Sequence, residues 1–325
     1  MAVYDPRGGG NVHTDRILTN ISVGFPNNAF VCAALFPQVP VVKQSDKYFV
    51  HGYEMWGQEP GSDVRAPGTP AMEIPGMKVS TQPYFAIEHA LKILVTEEEK
   101  QNADSPLNPE AEGTELVTSR VLLGRELAMK DLATTAGNYA SGHTVTLGAG
   151  ASWDAATSSP IADWKAGKRV LHARLFIEPT LGVIPWQTMS FLEEHVDFIE
   201  RIKYTQMGVL NADLVATMLG TNRIIIPGAG FNTANLNQTV SLAYIWGDDA
   251  LMAYVPGRPG LKTPAYGYEF VWKFPGGSVQ NVDRWYDNDR IGDYIRCRRR
   301  YDLNHIAIDG TGKSIAGYLI KNTVT

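Results

Sequence analysis

"GQEPGSDVRAPGTPAMEIPG", residues 57–76, decides how this chain must fold: eight of its twenty positions are Gly or Pro. Proline lacks a backbone N–H and fixes φ, and glycine gives up the most chain entropy on ordering. The segment is therefore expected to form neither a helix nor a central strand. Its flanks read differently. "DKYFVHGYEMW" (46–56) is rich in aromatic and β-branched residues and predicts a strand. "MKVSTQPYFAIEHALKILVT" (77–96) predicts a return strand that runs into a second element. Two strands around such a tip make a hairpin far longer than the loops of ordinary compact domains. A lone pair of strands is marginal in water, so the hairpin is expected to rest on a neighbouring molecule.

On the N-terminal side, residues 1–20 are polar and glycine-rich, an arm without a core of its own. Residues 21–43, "ISVGFPNNAFVCAALFPQVPVVK", are apolar but broken by three prolines, and are expected to be extended and in need of a packing partner. On the C-terminal side lies the strongest helix, "NPEAEGTELVTSRVLLGRELAMKDLATTAG" (108–137). Asn108 suits the N-cap, Pro109 the first turn, and Glu110 and Glu112 the positive end of the dipole. Leu116, Val117, Leu123, Leu127, Ala128 and Leu132 recur at helical spacing, and Gly137 can end the run. At 1.5 Å per residue the helix would be about 40 Å long.

A Gly/Ser/Ala/Thr-rich link (138–159) and a shorter helix, "PIADWKAGKRVLHAR", follow. "PTLGVIP" predicts a strand. "WQTMSFLEEHVDFIERI" predicts one helix with Met189, Leu192, Val196 and Ile199 on a single stripe, and with His195 on a solvated face beside Glu193 and Glu194. "NADLVATMLG" predicts a helix capped by Asn211 and Gly220, and "RIIIPG" a strand. Further strands are expected at 243–255, 265–274, 291–308 and 315–320. The order is mixed α+β, without βαβ alternation or an internal repeat.

With 325 residues, 44% of them hydrophobic and 19% charged, the chain has an ordinary globular balance. A net charge of −5 argues against a protein that coats nucleic acid over its whole surface, which would need a surplus of Lys and Arg. Cys32 and Cys297 are too few for a disulfide framework and read as buried apolar residues of a protein folded in a reducing cytosol. No apolar run approaches the roughly 18 residues needed to span a bilayer. The N-terminal stretch lacks the apolar core of a secretory signal.

Motifs with a chemical look give way to plainer readings. "DGTGKS" (309–314) resembles the end of a phosphate-binding loop, but Ala307 stands where the first glycine belongs, and "SIAGYLI" predicts a strand where a helix is required. A hairpin turn fits better. In "RCRRRYD", strand alternation puts Arg296, Arg298 and Arg300 on one face and Cys297 on the other. These arginines are expected to pair with carboxylates of a neighbouring chain rather than with nucleic acid, since no aromatic stacking pattern is evident in the run. The histidines never fall at i, i+4, and C-x-x-C and G-x-S-x-G are both absent. "EEEK" (97–100) reads as a charged surface turn, with a minor inter-subunit role open to it. No catalytic, cofactor-binding or metal-ligating group is expected, and the chain is expected not to be an enzyme.

The order of parts resembles the major capsid proteins of tailed double-stranded DNA phages, the Hong Kong 97-type fold. The Pro/Gly-tipped hairpin is similar to that family's E-loop and the helix 108–136 to its spine helix. "PTLGVIPWQTMSFLEEHVDFIERI…ADLVATMLG…RIIIPG" resembles its A-domain, "WGDDALMAYVP" a strand frequent in it, and "DYIRCRRRYDLNHIAI" the long P-domain strand that returns to the A-domain. The resemblance implies an arm (1–45), an E-loop hairpin (46–95), a P-domain with the spine helix (96–175), an A-domain (176–275), and C-terminal strands returning through the P-domain to the A-domain (276–325). It implies strands 243–255 and 265–274 in one small sheet packed beside copies of itself.

The function implied is self-assembly into hexamers and pentamers of an icosahedral head around double-stranded DNA, met on the inner face without sequence recognition. No membrane is involved, and the setting is the virion, assembled in the bacterial cytoplasm. A fused, charged helical scaffold is missing at the N-terminus, which points to a separate scaffolding protein beside portal and decoration proteins. Lys47 and Lys78 flank the hairpin, but no covalent cross-link is inferred from them. An encapsulin-like shell around a cargo enzyme is the alternative, and a nucleotide enzyme using 309–314 a third reading. Subunit contacts are assigned to Trp56, Arg65, Met72, Glu97, Glu98, Arg296, Arg298 and Arg300.

Overall fold

The computed structural model describes residues 30–51, 63–74, 79–103, 107–203, 211–234, 238–260 and 263–325, with the backbone of His13–Thr14. In chain order the elements begin with β1 (His13–Thr14), α1 (Cys32–Leu35), β2 (Gln38–Val41), β3 (Ser45–His51), β4 (Val79–Phe85) and β5 (Ile87–Thr96). Then come α2 (Glu97–Asn102), α3 (Pro109–Thr134), β6 (Thr144–Thr146), α4 (Pro160–Leu175), β7 (Leu181–Val183), α5 (Trp186–Glu194), α6 (Val196–Ile202) and α7 (Ala212–Leu219). The last are β8 (Arg223–Ile225), β9 (Gly230–Asn232), β10 (Leu242–Tyr244), β11 (Ala250–Ala253), β12 (Gly267–Trp272), β13 (Gln280–Asp287), β14 (Gly292–His305) and β15 (Gly317–Lys321).

Two larger sheets carry the molecule. One runs β1-β13-β14-β12-β2, with β5 added along β14; the other runs β6-β15-β11-β7-β8. The fourteen residues of β14 serve as a spine for the first sheet, pairing with β13, β12 and β5. The second is buried on both faces, which is why its central strand β11 reads "ALMA" without a polar residue. Ala250 and Met252 face Trp153, Trp164, Leu192, Phe198 and Val215, whereas Leu251 and Ala253 face Phe36, Met129, Tyr139 and Tyr266. Gly167 of α4 is required by this packing, because a Cβ there would collide with Met252 and Tyr318. Among the described residues no helix is long and apolar enough to cross a membrane.

Helix α3 starts as expected: the Asn108 side chain accepts a hydrogen bond from the Ala111 N–H, with Pro109 in the first turn. It ends three residues before Gly137, and a 3-10 turn (Ala136–Asn138) follows. The expected apolar stripe holds in part. Val117 is buried, and Leu123, Leu127 and Leu132 pack partly buried against the core around Tyr266, but Leu116 is 43% exposed and Ala128 lies outward; Val121, Met129 and Ala133 complete the buried face. The reason is that the N-terminal half packs on Val95, Val282, Ile295 and Cys297 of the six-stranded sheet, and the C-terminal half on the second core. Gly113 lets the helix approach closely, since a Cβ would stand 3.3 Å from Ile93 Cγ2.

Several expectations need correction. Residues 31–41, expected in the arm, belong to the body: Cys32, Leu35 and Phe36 are completely buried and β2 pairs in parallel with β12. The helix expected over 186–202 breaks at His195, which is buried. Its Nδ1 caps α6 by accepting from the Asp197 N–H (3.2 Å), and its Nε2 meets Ser158 Oγ at 3.1 Å. The break puts Phe198 inside and leaves Val196 and Ile199 half exposed, replacing the single stripe. Strands 243–255 and 265–274 do not share a sheet. β10 pairs with β9, β11 lies in the five-stranded sheet and β12 in the six-stranded one. Helix α4, expected with the spine helix, packs on the five-stranded sheet.

Candidate assembly surfaces

The hairpin is real and has two unlike halves. β3 and β4 pair in antiparallel register from Ser45↔Phe85 to His51↔Val79. Its root is fixed to the chain's own body. Tyr48 and Tyr84 lie against Phe270 of β12 with ring centroids 5.0 and 4.9 Å away. The Phe85 N–H donates to Asp302 Oδ2 (2.9 Å) and the Tyr48 hydroxyl to the His305 carbonyl (3.2 Å). Residues 63–74, by contrast, are exposed throughout and contain no strand. Val64 is 85%, Met72 66% and Ile74 71% exposed. Arg65 and Met72, assigned to subunit contacts, stand on this excursion; Trp56 lies outside the described residues. Lys78, beside the far strand, also lies outside them.

The arginine strand has the predicted alternation, but its carboxylate partners come from its own chain. Arg296 Nη2 and Arg298 Nη2 donate to Asp283 at 2.9 and 3.0 Å, and Arg300 Nε donates to Glu88 at 2.6 Å. The pairing with a neighbour's carboxylates is thus corrected. β14 is flanked by β13 and β5, and registers Asp283↔Arg296 and Glu88↔Arg300 place the acids directly opposite. Aromatic rings complete the array. Arg296 sits over Trp285 (5.0 Å), Arg298 over Phe274 (5.1 Å), and Arg300 over Trp272 and Phe274 (4.3 Å each). These rings come from neighbouring strands and turns, so the arginine run alone could not reveal them. Stacking and ion pairing fix three long side chains on a half-exposed sheet face.

Glu97 and Glu98 occupy the first turn of α2, where Thr96 and Glu99 form a reciprocal capping box. Glu98 is exposed; Glu97 is partly covered, 4.0 Å from Lys100. Lys100 also reaches Glu110 (3.0 Å) and Asp293, which Arg284 binds as well (2.8 Å). Burial pushes the Asp293 carboxyl upward, but hydrogen bonds from Arg284 and Lys100 prevail and hold it below the ordinary range.

A buried charge network lies beneath these surfaces, beyond what the residue spacing predicts. Glu269, wholly buried on β12, accepts from Arg125 Nε (2.9 Å) and from a second Arg125 nitrogen, and from Arg299 Nη2 (3.0 Å). Beside it Glu126, 1% exposed, accepts from the backbone N–H groups of Val31 and Cys32 and from Trp246 Nε1. A signal was present in the sequence: Val121, Arg125 and Met129 share one face at i, i+4, i+8, a charge placed within an apolar stripe.

"DGTGKS" is a turn between β14 and β15. Asp309 Oδ1 accepts from the Thr311 N–H (2.9 Å) and the Lys313 N–H (3.0 Å), and Gly312 has φ +81°. The loop's own carboxylate thus occupies N–H groups that a phosphate would need. Lys313 lines a cleft of about 420 Å³ with Tyr48, Gln82, Asn304 and His305. Burial pushes the His305 imidazole down to about 4, against a hydrogen bond to the Tyr266 carbonyl, which makes it a weak base. Among the described residues no group of three or more His, Cys, Asp or Glu could hold a metal ion.

No protein-family profile matches the chain. It is 27% identical over 262 residues to the major capsid protein of Burkholderia phage BcepMu, covering 78% of this chain and 82% of that protein. It is 25% identical over 244 residues to the major capsid protein of Pseudomonas phage JBD67, covering 74% and 76%. Among solved structures, a phage-related protein from Bordetella bronchiseptica RB50 superposes with a TM-score of 0.73 at 21% identity, covering 95% of this chain and 97% of that one. The asymmetric unit of the bacteriophage PhiM1 mature capsid gives 0.56 at 11% identity, covering 98% and 92%. A virus-like particle from Pyrococcus furiosus gives 0.52 at 10%, covering 94% and 96%.

Proposed function

We infer that this chain, which has the Hong Kong 97-type fold, is a structural major capsid protein of a tailed phage, whose task is assembly rather than turnover. The observation that carries the reading is the excursion 63–74, exposed at every residue on a hairpin whose root is firmly held. Val64, Met72 and Ile74 stand exposed together on this one loop, available to be covered by another surface. Identical copies supply that surface, because closed symmetry repeats one modest contact many times.

In this reading the subunits form hexamers and pentamers of an icosahedral head. The hairpin lies over the adjacent subunit, with Trp56, Arg65 and Met72 in contact. Glu97, Glu98 and the half-exposed faces of Arg296, Arg298 and Arg300 line subunit boundaries in addition to holding their in-chain partners. The inner face meets packaged double-stranded DNA without reading sequence, and scaffolding, portal and decoration proteins are separate chains. The protein resides in the virion, assembles in the bacterial cytoplasm and is not an enzyme. Two phage major capsid proteins match along most of the chain, which favours the phage head over a cargo shell.

Sedimentation of the purified chain, alone and with its candidate scaffolding partner, provides the test. Closed shells or ring capsomers are expected as fast-sedimenting species that electron microscopy resolves. A single slow boundary of compact monomer under every assembly condition would refute the reading.

A further inference from the structure

We propose that Glu126 is a clasp that decides whether the root of the N-terminal arm stays docked on its own subunit. Residues 31–41 enter the body through one helical turn, α1, and a four-residue edge strand, β2. That turn has no side-chain cap of its own, since Val31 at its N-cap offers none. The missing acceptor comes from helix α3, 94–95 residues away: Glu126 Oε1 takes the Val31 N–H (2.9 Å) and Oε2 the Cys32 N–H (3.0 Å). Oε1 also takes the Trp246 indole N–H (3.3 Å), from the segment between β10 and β11. One carboxylate thus ties the arm root, the spine-like helix and the edge of the second core together.

The arrangement makes docking and carboxylate burial mutually dependent. Glu126 and its partners Val31, Cys32 and Trp246 are all at most 2% exposed. The neighbouring guanidinium of Arg125 is committed to Glu269. If the arm root lifts, the carboxylate loses two of the three N–H donors it has among the described residues, and the covering Val31, Cys32, Leu35 and Phe36 leave with them. Hydrogen bonds and apolar cover are thus lost together, so the root is held or released as a unit rather than frayed residue by residue. β2 holds the far side of the root separately, through a four-residue parallel ladder to β12 in which Pro40 has no N–H to donate. The inference does not depend on the shell reading, because it concerns a single subunit.

The chain contains its own reporters. Cys32 sits at the arm root and Cys297 under helix α3, and both are buried thiols. Glu126→Gln keeps the shape but turns one acceptor into a donor facing a backbone N–H. Glu126→Asp keeps the charge but shortens the reach. With the full-length chain dispersed as subunits, thiol labelling read by mass spectrometry should show Cys32 reacting roughly 100-fold faster in Glu126→Gln, and about tenfold faster in Glu126→Asp. Cys297 should keep its wild-type rate in both. If Glu126→Gln does not fold, Glu126→Asp carries the test. Cys32 as shielded as in the wild type, or Cys32 and Cys297 released together, overturns the proposal.

Discussion

Replacing residues 57–76 by a two-residue turn leaves a folded, soluble subunit that no longer forms capsomers. The residues described in that stretch, 63–74, are all exposed on their own chain. The root survives the excision, because Tyr48 and Tyr84 still stack on Phe270 and Ala86 N–H still donates to the Gln44 carbonyl (2.8 Å). Shortening a loop also lowers its closure entropy, by only about 0.6 kcal/mol per halving, so subunit stability should move little. Assembly responds quite differently. A contact worth about 2 kcal/mol per hairpin, lost at every position of a six-membered ring, removes roughly 12 kcal/mol from the closed capsomer. Circular dichroism melting and sedimentation, run on the same preparation, measure both effects. Unchanged melting with complete loss of fast-sedimenting species is expected; shells from the shortened chain would show that the hairpin has another role.

The second large effect is on stability. Glu269→Ala should destabilise the subunit by about 3–5 kcal/mol, because it leaves the Arg125 and Arg299 guanidinium groups, each 7% exposed, without their shared counter-charge. That is a large part of the roughly 5–15 kcal/mol that holds a typical domain together. The comparison variant is Lys43→Ala, which breaks the exposed pair with Asp46 and should leave the unfolding midpoint nearly unchanged. Replacing Arg125, Glu269 and Arg299 together by apolar residues of similar volume should recover much of the loss, since a well-packed apolar core needs no charge pairing. Urea unfolding of dispersed subunits reads all three. A cost for Glu269→Ala no greater than that for Lys43→Ala would mean that the buried network contributes nothing.

What the sequence disclosed, it disclosed through local chemistry. Asn108 and Pro109 announce the start of α3, Asn211 and Gly220 bracket α7, and Asp309-Gly310 with Gly312 announces a turn, because caps and turns are decided within four or five residues. The hairpin was legible for the same reason: eight glycines and prolines exclude regular structure from 57–76.

Tertiary pairing was hidden. Nothing adjacent to Arg296 or Arg300 in the sequence names Asp283 or Glu88; only the flanking of β14 by β13 and β5 brings them together. The buried face of α3 was legible only in part, because Thr114, Thr118, Arg125 and Glu126 are buried polar residues, which a search for apolar spacing passes over. Cys32, Leu35 and Phe36 looked like an arm in need of a partner, and the partner is their own core. His195 looked solvated beside two glutamates, whereas its ring substitutes for a capping side chain at a helix break.

The central claim is that this polypeptide leaves a surface to be completed by its own copies, and a reconstruction of the assembled particle by cryo-electron microscopy tests it most directly. A closed shell is expected in which residues 63–74 of each subunit lie against the next, with Val64, Met72 and Ile74 covered. A shell in which that excursion folds back over its own chain, or no shell at all, would contradict it.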